Sequence, residues 1–230
     1  KQYNVPAVGS HRELEEAVTR FKRDMAALVE AGPHPNLVMP HRFQRDESSD
    51  ERYYLVLAWS GERTLAERLQ EGPMPQTEQL RILNGVAAAL AHCHEHGIIH
   101  RNFTPQSIYL EGGEVKVGDF DFAKVPTVTQ TLVQTGKLLV EGRHVSPEQA
   151  FHASDIDQRA DIFSLGAIWY DMLFRPEPDA VLDRQRIAEV DLPTDGKEIL
   201  RMMLAERRSE RPASMAEVQS WLDLLSESTD

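Results

Sequence analysis

The feature that most constrains this chain is the segment from residue 100 to residue 121. Two short strand-like stretches, Ser107 to Leu110 and Glu114 to Val117, flank a Gly112-Gly113 turn. The triplet His100-Arg101-Asn102 precedes them, and Asp119-Phe120-Asp121 follows. No other stretch after Thr64 has a strand pattern, so this segment is predicted to be a small β unit among helices.

Long helices are predicted on both sides of that unit. Gln76 to Glu95 is strongly periodic, Ala160 to Leu173 is almost wholly apolar, and Asp195 to Leu225 contains further amphipathic turns. No internal repeat or low-complexity tract is present. The second and larger part of the chain is therefore predicted to be helical.

The first part of the chain has a different pattern. Ser10 to Ala31 carries a helical apolar stripe, and Ser10 with Glu13 forms a capping-box pattern. Strands are predicted at Leu37 to Phe43 and Arg52 to Trp59, with an exposed acidic loop between them. The pattern favours an α+β class with a boundary near Ser60 to Glu62, which divides the chain into residues 1–60 and 61–230.

These segments together resemble a protein kinase of the eukaryotic type. The family has a catalytic loop beginning His-Arg-Asp, a metal-binding Asp-Phe-Gly and a closing Ala-Pro-Glu, and the corresponding text here is HRNFTPQSIYL, KVGDFDFAK and VSPEQA. The SPEQ and RADIFSLG text resembles bacterial serine/threonine kinases. The resemblance implies a bilobal fold with a partial, β-rich N-lobe, which lacks the first strands and the glycine-rich loop, and a larger helical C-lobe.

The resemblance also implies three structural residues. Asp161 begins the family's long buried helix and would hold the backbone of the His100-Arg101 turn. Glu148 would pair with Arg211 in the closing segment RRSERPASMAEV. All three residue types match the family's pattern.

The catalytic positions depart from that pattern. The family's catalytic aspartate corresponds to Asn102, whose amide cannot accept a proton at neutral pH, and loss of general-base catalysis typically costs roughly 10²- to 10⁴-fold. The lysine that meets the phosphoryl group corresponds to Thr104, and the metal-binding asparagine corresponds to Ser107. Asp119 keeps the metal-binding carboxylate, whereas the glycine after Phe120 is Asp121. The resemblance therefore implies a weak magnesium site formed by Asp119 and Ser107.

The N-lobe supplies the residues of a candidate nucleotide pocket. Lys1 is the candidate for the strand lysine, and Asp24 stands where a helix glutamate would pair with it. Leu57 takes the gatekeeper position, with Ala58 and Trp59 in the hinge. ATP and magnesium are thus cofactors that the chain could bind but is not expected to require.

Composition restricts the partners. The 25 basic and 37 acidic residues give a formal net charge of −12, the wrong sign for nucleic acid or anionic lipid. A single cysteine and the lack of an apolar run of roughly 20 residues favour a cytoplasmic protein without a membrane segment. Because the sequence starts at Lys1 without a leader, we expect an excerpt of a longer chain.

Three functional hypotheses follow. The first is a pseudokinase domain that regulates or scaffolds by binding a protein partner or other domains of its own chain. The second is an atypical ATP-dependent kinase, in which Asp119 or Asp121 replaces the missing carboxylate or an upstream segment restores the nucleotide site. The third is a switch that binds ATP without turnover. His92, Cys93, His94 and His96 also allow a metal site, although the family commonly carries a histidine at the position of His94.

Overall fold

The structure is a computed structural model, and it describes residues 2–4, 19, 25–45, 52–57, 63–120, 142–151, 156–177 and 180–227. Mixed strands and helices form the α+β, kinase-like bilobal fold that the sequence predicts. The strands lie in two small antiparallel sheets, and from residue 142 onward the elements of the described residues are all helices.

The first sheet contains β1 (Gln2–Asn4), β2 (Pro40–Arg45) and β3 (Arg52–Leu57), with β3 between the other two strands. Helix α1, residues 25–31, precedes β2 and ends at Gly32, which has a positive φ of 85°. The predicted strand from Leu37 begins instead at Pro40. Leu37 forms an isolated parallel bridge to Val117, so residues before Pro40 contact the second sheet rather than the first.

The second sheet has the order β4 (Arg63–Thr64), β5 (Ile108–Glu111) and β6 (Glu114–Val117). The strand prediction at Glu114 to Val117 is confirmed. Ser107, which was predicted to begin β5, lies instead in a 3₁₀ turn, Pro105–Ser107, because a proline opens that turn. Gly112 and Gly113 both adopt the positive φ values that the tight turn between β5 and β6 requires.

Helices form the core of the larger part. Short α2 (Leu65–Gln70) has a capping box between Thr64 and Glu67, and α3 (Gln76–Glu95) has the predicted bounds. Helix α4 (Pro147–Phe151) precedes α5 (Arg159–Phe174), whose residues are buried on nearly every side. The predicted stretch from Asp195 to Leu225 comprises two helices, α6 (Thr194–Met203) and α7 (Met215–Glu227).

The two sheets meet at the segment between α1 and β2. The Val38 N–H donates to the Val117 carbonyl at 2.8 Å, and the Val117 N–H donates to the Asn36 carbonyl at 2.8 Å. The Asn36 side-chain amide also donates to the Val115 carbonyl at 2.8 Å. These bonds attach the first part of the chain to β6. The predicted boundary near Ser60 to Glu62 lies outside the described residues, and the division into 1–60 and 61–230 stays a prediction.

Candidate functional site

The loop after α3 is held by a carboxylate at the start of α5. Asp161 is fully buried, and it accepts hydrogen bonds from the backbone N–H groups of His100 and Arg101 at 2.8 and 2.9 Å. The His94 Nε2 donates to the same carboxylate at 2.8 Å. Burial alone would raise the pKa of Asp161, but the bonds and charges of His94 and His100 hold it below its usual range. A charged Asp161 therefore fixes the loop's backbone.

The imidazole of His100 links this loop to the Asp119 segment. Its Nε2 donates to the Gly118 carbonyl at 2.8 Å. The ring also packs against Phe103 and Phe120, at centroid distances of 5.2 and 4.5 Å. Because all of these groups are buried, the residue before Asp119 is held in a fixed position relative to the loop.

The backbone is strained at two of the site residues. Arg101 has a φ of 66° and Asp119 a φ of 60°, a left-handed conformation that non-glycine residues rarely adopt. Such strain costs on the order of 1–3 kcal/mol per residue and persists only where surrounding contacts impose it. Here Asp161 accepts a hydrogen bond from the Arg101 N–H. His100 donates to the carbonyl of Gly118, the residue before Asp119.

The substituted positions lie within this rigid frame. Asn102 and Thr104 follow the strained Arg101 and are half-buried, and Ser107 is only 3% exposed. The Gly118 N–H donates to the Ser107 carbonyl at 2.9 Å, which places Ser107 beside the residue that precedes Asp119. The loop thus brings the predicted magnesium ligands, Ser107 and Asp119, to the same end of the β5–β6 hairpin.

The hydrogen bond between Tyr109 and Asp119 is a contact that sequence reasoning missed. The Tyr109 hydroxyl donates to the Asp119 Oδ2 at 3.0 Å. Tyr109 lies on β5 between two buried residues, so the alternation of the strand turns it away from the side where Ile108 and Leu110 are packed. That alternation was visible in the sequence, but the distance to Asp119 was not.

The oxygen donors at this site fit magnesium in kind, because Mg²⁺ prefers carboxylate and other oxygen ligands and usually relies on substrate phosphates for the rest. Asp119 offers a carboxylate and Ser107 a neutral hydroxyl. Across the described part of the chain, no group of three or more His, Cys, Asp or Glu side chains is arranged to hold a metal ion. Magnesium at Asp119 would therefore need the phosphates of a bound nucleotide.

Four residues of the candidate nucleotide pocket lie outside the described residues: Lys1, Asp24, Ala58 and Trp59. Asp121, which replaces the glycine after Phe120, also lies outside them. Leu57 is described in its backbone, as the last residue of β3, where it pairs with Pro40. The geometry of the pocket's N-lobe side consequently stays a prediction.

The Glu148 and Arg211 side chains lie in direct contact. Arg211 donates through both terminal nitrogens to the two Glu148 oxygens, at 2.7 and 2.9 Å, and its side chain is 0% exposed. It also donates to the carbonyls of Ala205, Arg159 and Glu206. Burial alone would raise the pKa of Glu148, but the arginine holds it below its usual range. This pair joins α4 to the segment before α7.

The histidines at the end of α3 are accounted for without a metal. The rings of His34 and His92 stack at 5.2 Å, and His96 hydrogen-bonds to the His92 carbonyl. Burial, with a smaller contribution from Asp161, raises the pKa of the Cys93 thiol to about 12, so it stays protonated and is a poor ligand. Within the described residues, the metal-site alternative is therefore wrong.

Sequence reasoning also missed a second buried carboxylate on α5. Asp171 accepts from the Arg143 Nε at 2.7 Å and from the His144 Nε2 at 2.8 Å. Arg143 donates further to the carbonyls of Glu177 and Ala180. These bonds attach the residues before α4 to the far end of α5. An acidic residue within an otherwise apolar helix was the signal that could have predicted such a partner.

Comparison with known proteins agrees with this geometry. The chain matches the family model of the protein kinase domain over residues 5–227. It is 33% identical over 159 residues to the probable serine/threonine-protein kinase PknB of Lactococcus lactis, covering 68% of this chain and 24% of that protein. It is 31% identical over 160 residues to the serine/threonine-protein kinase PrkC of Bacillus subtilis, covering 69% and 24%.

A third relative, the serine/threonine-protein kinase pkn2 of Myxococcus xanthus, is 34% identical over 187 residues, which is 76% of this chain and 22% of that protein. The chain thus spans about a quarter of the length of these relatives. Among the described residues, no helix has the length and apolar character needed to cross a bilayer. The family match and the buried Asp161, Glu148 and Arg211 framework lead to one conclusion: the chain belongs to the protein kinase domain family, within the eukaryotic-like serine/threonine kinase superfamily.

Proposed function

We propose that this chain is a pseudokinase domain, which keeps the kinase scaffold and does not transfer phosphate. The observation that carries the proposal is Asn102, which follows a loop backbone held by Asp161 in a rigid, buried arrangement. An amide at this place cannot accept the proton of an attacking hydroxyl. The frame needed to position a catalytic carboxylate is present, and the carboxylate is not.

The neighbouring residues support the same proposal. Phosphoryl transfer depends on positioned metal ions and cations on the phosphates. Thr104 carries no charge for the transferred group, and Ser107 offers magnesium only a neutral oxygen. Asp121 would add negative charge next to the phosphates. Each substitution weakens a different requirement of the reaction.

The role that remains for such a domain is binding. We propose that it acts as a regulatory or scaffolding module, on a protein partner or on other domains of its own chain, with residues 1–60 and 61–230 as its two lobes. In the relatives, the matched segment is about a quarter of a longer protein, which supports action beside other domains. The acidic net charge of −12 makes nucleic acid and anionic membranes poor partners. A cytoplasmic location is part of this proposal.

The direct test is a phosphoryl-transfer assay on the purified full-length protein. We expect no transfer above that of Asp119→Ala, and partial recovery in the triple variant Asn102→Asp/Thr104→Lys/Ser107→Asn if the scaffold is intact. Arg101 and His100 stay unchanged as the loop's anchor in every variant. Sustained transfer by the unmodified protein that disappears in Asp119→Ala would instead support the atypical-kinase alternative.

The retained carboxylate of Asp119 favours a second candidate, a switch that binds ATP without turning it over. Its left-handed backbone is imposed by buried contacts, and such strain often marks a site kept for binding. A bound nucleotide would stabilise the folded state by mass action. A rise in the melting temperature with millimolar ATP, with no product formed, would support this candidate, and the absence of a shift would argue for the pure scaffold.

A further inference from the structure

The Tyr109 side chain is positioned by its strand and by a glycine. On β5, Ile108 is 0% exposed and Leu110 is 5% exposed, and both pack into the core, so Tyr109 extends from the opposite face. A Cβ placed on Gly118 would lie 3.0 Å from the Tyr109 Cε2. The ring therefore rests against the backbone of Gly118, in space that a side chain at that position would take.

This placement brings the phenol to the Asp119 carboxylate. The hydroxyl lies 3.0 Å from Oδ2, across a separation of ten residues. The backbone of Asp119 is held in place by the residue before it. The Gly118 N–H donates to the Ser107 carbonyl, and the Gly118 carbonyl accepts from His100. Asp119 itself has a left-handed φ of 60°. A fixed donor therefore faces a fixed acceptor.

We infer that Tyr109 competes with a divalent cation for Asp119, so that Asp119 makes no contact with the magnesium ion of a bound nucleotide. Mg²⁺ binds oxygen ligands at roughly 2.0–2.1 Å and demands near-octahedral geometry. An Oδ2 that accepts a phenolic hydrogen bond at 3.0 Å must give up that bond, or share its lone pairs, before it can bind the ion. The contact thus opposes metal binding at Asp119, and it is formed by a residue of the hairpin itself.

This inference rests on the proposed role of Asp119 as the magnesium ligand, but not on the loss of chemistry at Asn102. It predicts a specific property: any nucleotide binding by the unmodified chain is insensitive to magnesium. A phenol that served only to stabilise the hairpin would influence unfolding and leave the magnesium dependence of binding unchanged. The two roles can be separated by measurement.

The test compares ATP affinity with and without Mg²⁺, by titration calorimetry, for the unmodified protein and for Tyr109→Phe. Phenylalanine keeps the ring against Gly118 and removes only the hydroxyl. We expect magnesium to tighten ATP binding to Tyr109→Phe by roughly 10-fold or more, because a competing charge-assisted hydrogen bond has been removed. We expect magnesium to leave the ATP affinity of the unmodified protein unchanged. The double variant Tyr109→Phe/Asp119→Asn should lose the gain.

Tyr170→Phe is the matched control, since it removes a buried phenol on α5 and should keep the unmodified behaviour. A second readout without nucleotide is the paramagnetic broadening of backbone amide signals by Mn²⁺, which should become localised near Gly118 in Tyr109→Phe alone. The inference is overturned if Tyr109→Phe gains neither effect, or if the unmodified protein already responds to magnesium equally. Phosphate transfer is measured in a separate assay, so a failure of the proposed function can be distinguished from a failure of this inference.

Discussion

Buried charged residues fix several loops of this fold, and they stabilise it only when all of their hydrogen-bonding groups are paired. Asp161 and Arg211 are both almost inaccessible to solvent, and each makes several hydrogen bonds to backbone groups, most of which lie in loops. Taking a charge out of water is expensive, and it is tolerated only when its lone pairs or protons are satisfied. Such a residue fixes the loops around it, because each of its partners would otherwise be left unpaired.

The variant Arg211→Met tests this at one residue. Loss of the guanidinium would leave Glu148 with a poorly solvated charge and several carbonyls without a donor, so we expect unfolding free energy to fall by about 3–5 kcal/mol. Arg207→Met is the matched control: Arg207 lies 3.6 Å from Glu210, and its side chain is 81% exposed, so about 0–1 kcal/mol is expected. Urea unfolding measures both variants, and equal losses would contradict the argument.

At the scale of elements, helix packing depends on one glycine. A Cβ on Gly166 of α5 would lie 2.9 Å from the Met203 Cβ and 3.2 Å from the Leu204 Cδ2, at the contact with α6. Real Cβ atoms hardly ever come this close, so the two helices would have to separate. A glycine in α6 itself, Gly196, has no such contact, because its nearest neighbour would lie at an ordinary 3.6 Å.

The two glycines therefore predict opposite outcomes for one substitution. Gly166→Ala should destabilise the protein by about 1–3 kcal/mol through overpacking, although alanine is the better helix former. Gly196→Ala should stabilise it by up to about 1 kcal/mol, since only the helix propensity changes. Urea unfolding of both variants supplies the comparison, and a destabilised Gly196→Ala would show that propensity is not the deciding factor.

Elements with a long, regular pattern were predictable from the sequence, and short ones were not. The twenty residues of α3 gave a periodicity that fixed both of its ends. Helix α2 has six residues, too few for a period to be read, although its Thr64–Glu67 capping box was present as a signal. The predicted strand start at Leu37 was wrong because that residue's apolar character serves a bridge to Val117 instead of a place in the first sheet.

The candidate site also combines residues that the sequence nominated with contacts that it could not predict. The resemblance of short local motifs to the kinase family was enough to nominate Asn102, Ser107 and Asp119 as site residues, and their roles stay predictions. The contact between Tyr109 and Asp119 depends on the twist of the hairpin and on the space left at Gly118, and neither can be derived from residue order. The same holds for Arg143 on Asp171, whose partners are brought together only by the packing of α5.

At the scale of the whole molecule, the two sheets are joined through a segment that carries a titratable ring. His34 stacks on His92 of α3, and its Nδ1 accepts the Asn36 N–H at 3.2 Å, a bond that requires an unprotonated Nδ1. Asn36 in turn bonds to Val115 and Val117 of β6. Protonation of His34 would therefore disturb the place where the first part of the chain is attached.

Burial and the neighbouring His92 lower the pKa of His34 below its usual 6.5, so the unfolded chain binds this proton more readily than the folded one. The stabilisation is present above about pH 6.5 and is lost as the pH falls from there through the lowered folded value. We expect the melting temperature to fall between pH 7.5 and 5.5, and to fall less in His34→Phe, which keeps a ring for stacking. His41→Gln, at an exposed position of β2, is the control whose pH dependence should match the unmodified protein. A His34→Phe curve parallel to that of the unmodified protein would mean that another group causes the acid sensitivity.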